Sequence, residues 1–160
     1  MRLLVLAVGH KMPAWVSAGF QDYARRMPRG LPLQLVEIRP EPRGSGPTGP
    51  GQVERLLRAE AERLRAAIPA DAFCVALDER GAPLTTAELG RQLEQWRQQG
   101  ADVAFLIGGA DGLDPQIKRS ARLMLALSAM TLPHQLVRVI LAEQLYRAAS
   151  LLHKHPYHSA

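Results

Sequence analysis

The sequence predicts an α/β domain with a mostly parallel sheet flanked by helices. Two observations carry this. Short apolar runs, several of them rich in leucine and β-branched residues, alternate with segments of helical periodicity. No internal repeat or second domain interrupts the 160 residues, so residues 1–160 read as one domain long enough to bury a real core.

The elements follow in order. Arg2 to Val8 is an apolar, leucine-rich run and reads as a buried strand. Met12 to Met27 reads as a helix, with Trp15, Ala18 or Phe20, and Tyr23 on its apolar side. Leu31 to Ile38 alternates, with Leu33, Leu35 and Glu37 on one face and Gln34, Val36 and Ile38 on the other, as a strand does. Residues 39–51 hold four prolines and four glycines and form a loop. Val53, Leu57, Ala61, Leu64 and Ile68 make one stripe of a helix. Phe73 to Leu77 is a third strand. Thr85 and Glu88 form a capping box before a helix that carries Leu89, Leu93 and Trp96 and stops at Gly100. Val103 to Ile107 is a fourth strand, and Leu123 to Leu127 a short fifth. Pro133 suits a first helical turn, where its missing N–H costs nothing. The helix it opens runs to about Leu152 and is apolar nearly all round, so one of its sides is expected to meet another subunit.

Composition narrows the function. Apolar residues make up 47% of the chain, an ordinary share for a globular protein. The single cysteine, Cys74, excludes an internal disulfide and any multi-cysteine metal site, and its apolar run makes it core filler. No apolar run reaches the ~20 residues a spanning helix needs, and the apolar start, Leu3 to Val8, is too short for a signal peptide. A cytoplasmic protein without membrane contact is expected. Charge is uneven: residues 1–45 carry seven Lys/Arg against three Asp/Glu, residues 46–114 seven against eleven, and residues 115–160 six against one. If the two basic ends meet in the fold, they make a positive surface suited to a polyanion. Arg25, Arg26, Arg29, Lys118 and Arg119 are the expected phosphate contacts.

Two loops carry the chemistry. Leu106-Ile107-Gly108-Gly109-Ala110-Asp111-Gly112 ends a strand with glycines that permit close backbone approach and φ > 0 turns. It lacks the dinucleotide fingerprint and the P-loop, and Asp111 and Asp114 would repel a phosphate. Leu127-Ser128-Ala129-Met130-Thr131-Leu132-Pro133-His134 offers small residues at the mouth of the last helix. Together the loops suggest a cofactor pocket at a sheet edge. On the last helix, Glu143 and Arg147 are four apart and can pair. His153, His155 and His158 fit no common zinc spacing, and Pro156 breaks the helix that would align them, so no metal is expected.

These motifs together resemble a known family. Gly9-His10-Lys11-Met12-Pro13-x-Trp15-Val16, the 105–113 glycine loop, Thr131-Leu132-Pro133-His134-Gln135-Leu136-Val137-Arg138, Ala142-Glu143-Gln144-Leu145-Tyr146-Arg147-Ala148 and His155-Pro156-Tyr157-His158 look like the RlmH, or YbeA-type, pseudouridine methyltransferases of bacterial large-subunit ribosomal RNA. The resemblance spans the whole chain. It implies a SPOUT fold with a deep trefoil knot near the C-terminus, against the general rule that chains do not knot, and a homodimer. It further implies S-adenosylmethionine as cofactor and methylation of N3 of pseudouridine 1915 in 23S ribosomal RNA of assembled ribosomes. Carried onto this sequence, the cofactor residues are Leu77, Asp78, Gly108, Gly109, Ser128, Ala129, Met130, Thr131, Leu132 and Pro133. The catalytic, substrate-side residues are Arg147, His155, Tyr157 and His158. One departure stands out: Ser159 and Ala160 follow the tail histidine where the family pattern leads one to expect a basic residue.

The proposed acceptor demands help. A uracil-type N3 carries an imide proton and attacks well only as an anion, so a base or a positive site is needed. Arg147 and the tail would supply the charge, with His155 or His158 as candidate base. A non-catalytic ribosome-binding or assembly factor with the same basic surface is the rival reading, and a nucleotide-binding regulator using the glycine loop is a second. Cofactor binding and methyl incorporation separate them.

Overall fold

The computed structural model describes residues 1–47, 49–154 and 157. Five strands, β1 (Leu3–Val8), β2 (Leu33–Ile38), β3 (Phe73–Ala82), β4 (Val103–Ile107) and β5 (Leu123–Leu125), alternate with five helices. These are α1 (Ala14–Arg26), α2 (Pro50–Ala67), α3 (Thr86–Gln99), α4 (Pro115–Ser120) and α5 (His134–Leu152). The strands form one sheet in the order β2-β1-β4-β3-β5, and every pairing within it is parallel.

The central strands explain their own composition. Every residue of β1 and β4 is buried, because helices cover both faces of the sheet and leave no side for polar residues. One face packs Leu3, Val5, Val103 and Phe105 against Phe20 of α1, Leu93 and Trp96 of α3, and Leu141 and Leu145 of α5. The other packs Leu4, Leu6, Ala104 and Leu106 against Ala61 and Leu64 of α2 and Ile117 of α4. Helix α5 lies between α1 and α3. Cys74 packs, half-buried, against the α2 side of the core, and burial pushes its thiol pKa up.

Several boundaries differ from the sequence expectation. Strand β3 runs on to Ala82 instead of stopping at Leu77, with an irregularity before Ala82 pairs Leu125. Strand β5 ends at Leu125, short of Leu127. Pro133 is the N-cap of α5 and not its first helical residue. Helix α4 was not anticipated at all. Its signal lay in Asp114-Pro115: the Asp114 side chain accepts from the Gln116 amide at 2.7 Å, and Pro115 opens the helix. Asp114 is therefore a buried cap rather than a group facing a ligand. The capping box at Thr85 and Glu88 forms as expected, and Gly100 closes α3 at φ 77°.

Candidate functional site

In a parallel sheet, ligands bind beyond the carboxyl ends of the strands. Here the segments leaving β3, β4 and β5 surround a cavity of about 570 Å³, a volume suited to a cofactor-sized ligand. Leu77 and Asp78 enter from β3, Gly108 and Gly109 from the turn after β4, and Ser128, Met130, Thr131, Leu132 and Pro133 from the segment before α5. Of the residues expected to hold a cofactor, Ala129 alone falls outside the lining. The wall also contains Asp111, Leu127 and His134 from the two loops expected to form the pocket, and Glu79, Arg80, Lys118, Leu125 and Val137, which the sequence reading did not assign to it. His134 belonged to a recognised motif. Lys118 carried no local signal, because its partner is 40 residues away.

Hydrogen bonds hold the loops. The Met130 amide donates to Ser128 Oγ at 2.9 Å. Thr131 Oγ1 donates to the Glu79 carboxylate, joining the C-terminal half of β3 to the loop before α5. Asp78 accepts from the Arg80 amide at 2.8 Å and from Lys118 Nζ at 3.1 Å. Burial pushes the Asp78 carboxyl up, but the Arg80 amide and the Lys118 ammonium outweigh it and hold the group below the usual carboxylate range. Lys118 is thus part of the cavity wall, ion-paired with Asp78. Arg26 bonds Asp22 at 3.0 Å, whereas Arg25, Arg29 and Arg119 are exposed.

The glycines serve the chain's own packing. A Cβ on Gly108 would lie 2.3 Å from the Gly112 carbonyl carbon, and one on Gly109 would lie 3.2 Å from Val8 Cγ1. Each would press on the chain's own atoms. In this turn only Gly112 has positive φ, at 79°, and its amide donates to Gly109 O at 3.0 Å.

At the start of α5, His134 Nδ1 is buried without a hydrogen-bond partner among the described residues. Burial and the neighbouring Arg138 cation push its pKa down, so the ring is neutral at neutral pH. Arg138 is fully buried; its Nη2 donates to Gly9 O at 3.0 Å and its Nη1 to Glu37 Oε2 at 2.8 Å. Gly9 needs its glycine, with φ at 133° and a would-be Cβ 2.9 Å from Met12 Cε.

The expected substrate-side residues gather elsewhere. Arg147 pairs with Glu143 at 2.7 Å, as their spacing predicts. Tyr157 donates to Glu143 Oε1 at 3.1 Å and lies under the Arg147 guanidinium at 4.7 Å. Its ring centroid is 4.6 Å from that of Tyr146. Burial, a Tyr23 hydrogen bond and the Glu143 charge push the Tyr157 phenol up to about 12. Arg147 lies 13 residues along α5 from His134, roughly 20 Å at 1.5 Å per residue. One chain therefore does not bring Arg147 and Tyr157 to the cavity. His155 and His158 lie outside the described residues, as does Pro156.

A family model described as "Predicted SPOUT methyltransferase" matches residues 1–158. The chain is 57% identical to the "Ribosomal RNA large subunit methyltransferase H" of Nitrosospira multiformis, over all of both chains. It is 56% identical to the protein of that name from Bordetella avium, again over all of both chains. Among solved structures it is similar in fold to a "Probable Methyltransferase from Bordetella pertussis Tohama I", with a TM-score of 0.52 at 17% identity, covering 92% of this chain and 95% of that one. It is likewise similar to TrmJ from Z. mobilis, with a TM-score of 0.51 at 17% identity, covering 92% and 68%.

Proposed function

The chain belongs to the SPOUT methyltransferase family, and from that premise we propose that it methylates N3 of pseudouridine 1915 in 23S ribosomal RNA of assembled ribosomes. The enzyme works as a homodimer, with S-adenosylmethionine held in the cavity beyond β3, β4 and β5. The observation that carries this reading is the convergence of Leu77, Asp78, Gly108, Gly109 and the 128–133 segment on one cavity. The names of the full-length relatives support the RNA substrate. Exposed Arg25, Arg29 and Arg119 suit a polyanion.

The cavity's chemistry fits the cofactor. Leu77, Leu125, Leu127, Leu132 and Val137 give apolar walls for a base. Asp78, Glu79 and Asp111 offer carboxylates that suit hydroxyl groups and positive charge. The bound cofactor supplies a methyl group on a sulfonium. The deep trefoil knot belongs to the same reading. At its C-terminal end β3 lies close against its sheet neighbour β5: a Cβ on Gly81 would lie 2.5 Å from Met124 O.

The protein's own residues must align the acceptor and manage its proton. Arg147 would stabilise the anionic imide. A Tyr157 phenol titrating at about 12 keeps its proton at neutral pH, which makes it a donor and stacking surface and leaves the base to His155 or His158. Because Arg147 and Tyr157 lie outside the wall of their own cavity, a second copy supplies them. The half-buried Leu136, Val139 and Ile140 of α5 suit that contact.

The experiment is methyl transfer. Ribosomes from a strain lacking this gene are incubated with the protein and S-adenosylmethionine, and the ribosomal RNA is digested and weighed by mass spectrometry. One added methyl group on pseudouridine 1915 is expected. Cofactor binding without methylation of ribosomes would favour the non-catalytic assembly factor.

A further inference from the structure

The proline- and glycine-rich loop after β2 reaches a residue of the cavity wall, Asp111, through the Arg43 side chain. We propose that Arg43 of this loop is a positioning residue for cofactor binding, acting through Asp111. The inference rests on the reading of the cavity as the S-adenosylmethionine site.

Three observations carry it. Arg43 Nε donates to Asp111 Oδ2 at 2.9 Å, and Nη2 lies 2.8 Å from the same oxygen. Asp111 lines the cavity at the tip of the 109–112 turn. On its other side, Arg43 Nη1 donates to Glu60 Oε2 at 3.2 Å and to Glu41 O at 3.0 Å.

Glu60 makes this an anchor. It sits on α2, only 2% exposed, and a buried carboxylate must be paired. Its Oε2 also accepts from the Glu41 amide at 3.0 Å. Glu41 in turn accepts from Arg63 of α2. The loop is therefore fastened to α2 by its residues 41 and 43, and Arg43 carries that rigidity across to the turn that forms one cavity wall. Its planar fork is what permits one side chain to engage two carboxylates; an ammonium has no such fork.

Two consequences follow for the cofactor. The turn is held in place from outside by a charged pair instead of by its own glycines alone. Asp111 faces the cavity with its charge already balanced, so its carboxylate is fixed in direction before a ligand arrives.

The test is titration calorimetry with S-adenosylmethionine on the full-length protein, reading dissociation constant and stoichiometry separately. Arg43→Lys keeps the charge beside Glu60 and breaks the bridge, so it is the variant that should fold. It is expected to raise the dissociation constant about fivefold or more, the low end for coupling between linked groups, at unchanged stoichiometry. Arg43→Ala should do at least as much. In an Asp111→Asn background, Arg43→Lys should add nothing. A merely structural role would lower the stoichiometry, by reducing the fraction of competent protein, and leave the dissociation constant alone. That result, wild-type affinity in Arg43→Lys, or full additivity with Asp111→Asn would each overturn the proposal. Absence of binding by the wild-type protein would instead remove the reading of the cavity, and this inference with it.

Discussion

Gly108 and Gly109 are neighbours of identical chemistry, yet a methyl group at each would meet different matter. At Gly108 it would strike the Gly112 backbone at 2.3 Å, and at Gly109 a Val8 side-chain methyl at 3.2 Å. Backbone in a hydrogen-bonded turn cannot move aside, whereas a valine side chain yields a few tenths of an ångström. Gly108→Ala is therefore expected to cost at least ~1–3 kcal/mol, the range for overpacking, and to abolish cofactor binding. Gly109→Ala should cost about 1 kcal/mol or less and retain binding. Urea midpoints and calorimetry on both variants check this; equal losses would show that the turn is not packed as described. The sequence made this pair stand out, but for a different reason. A double glycine after a strand signals close approach without saying what approaches, and here it is the chain itself. The same blindness covers Lys118, whose role depends on Asp78 across the fold.

At the scale of elements, α5 was legible as a helix because its apolar residues run nearly all round. Its polar residues were not interpretable from spacing, apart from the i,i+4 pair of Glu143 and Arg147. Arg138 is the case in point. It is fully buried and ties α5 to the ends of β1 and β2 through Gly9 O and Glu37, contacts separated by more than a hundred residues. Arg138→Leu keeps the bulk and removes both bonds, leaving the Gly9 carbonyl without this donor. An unpaired buried acceptor costs ~1–3 kcal/mol. Against that, the substitution relieves the desolvation of a guanidinium whose Nε has no partner among the described residues. Glu37 is 41% exposed and recovers water. The net expectation is a loss of about 1–2 kcal/mol, measured as a lower urea midpoint at unchanged slope. A variant as stable as wild type would mean the bonds merely offset burial. Elements with strong periodicity or caps were read from sequence within a few residues. Helix α4 was missed because six residues are too few for a period, although Asp114-Pro115 marked its start.

At the scale of the whole molecule, the cavity proposed for the cofactor and the Arg147–Tyr157 cluster are separate: Arg147 lies about 15 Å by helical rise beyond Val137, the last α5 residue in the cavity wall. Neither Arg147 nor Tyr157 lines the cavity of its own chain. Two copies related by a twofold axis can join the two, because such an axis places each surface of one copy against the reciprocal surface of the other. The alternation of strands and helices predicted the sheet, and the all-round apolar α5 led to the expectation of a subunit contact without saying which residues would meet across it. The arrangement yields a test that needs no structure of the assembly. Gly108→Ala supplies a protomer without a working cavity but with its tail, and deletion of residues 155–160 supplies a cavity without the tail. Each homodimer should be nearly inactive. Unfolded together and refolded in equal amounts, random pairing makes half the dimers mixed, and each mixed dimer joins one intact cavity to one intact tail. Methyl transfer should then recover to about one quarter of the wild-type rate per protomer, the fraction set by twofold pairing. Mixing the folded proteins without subunit exchange should give no recovery. If refolded mixtures stay inactive while sedimenting as dimers and still binding S-adenosylmethionine, each site is built within one chain. Tyr157 would then have to leave its contacts with Glu143 and Tyr146 to reach its own cavity.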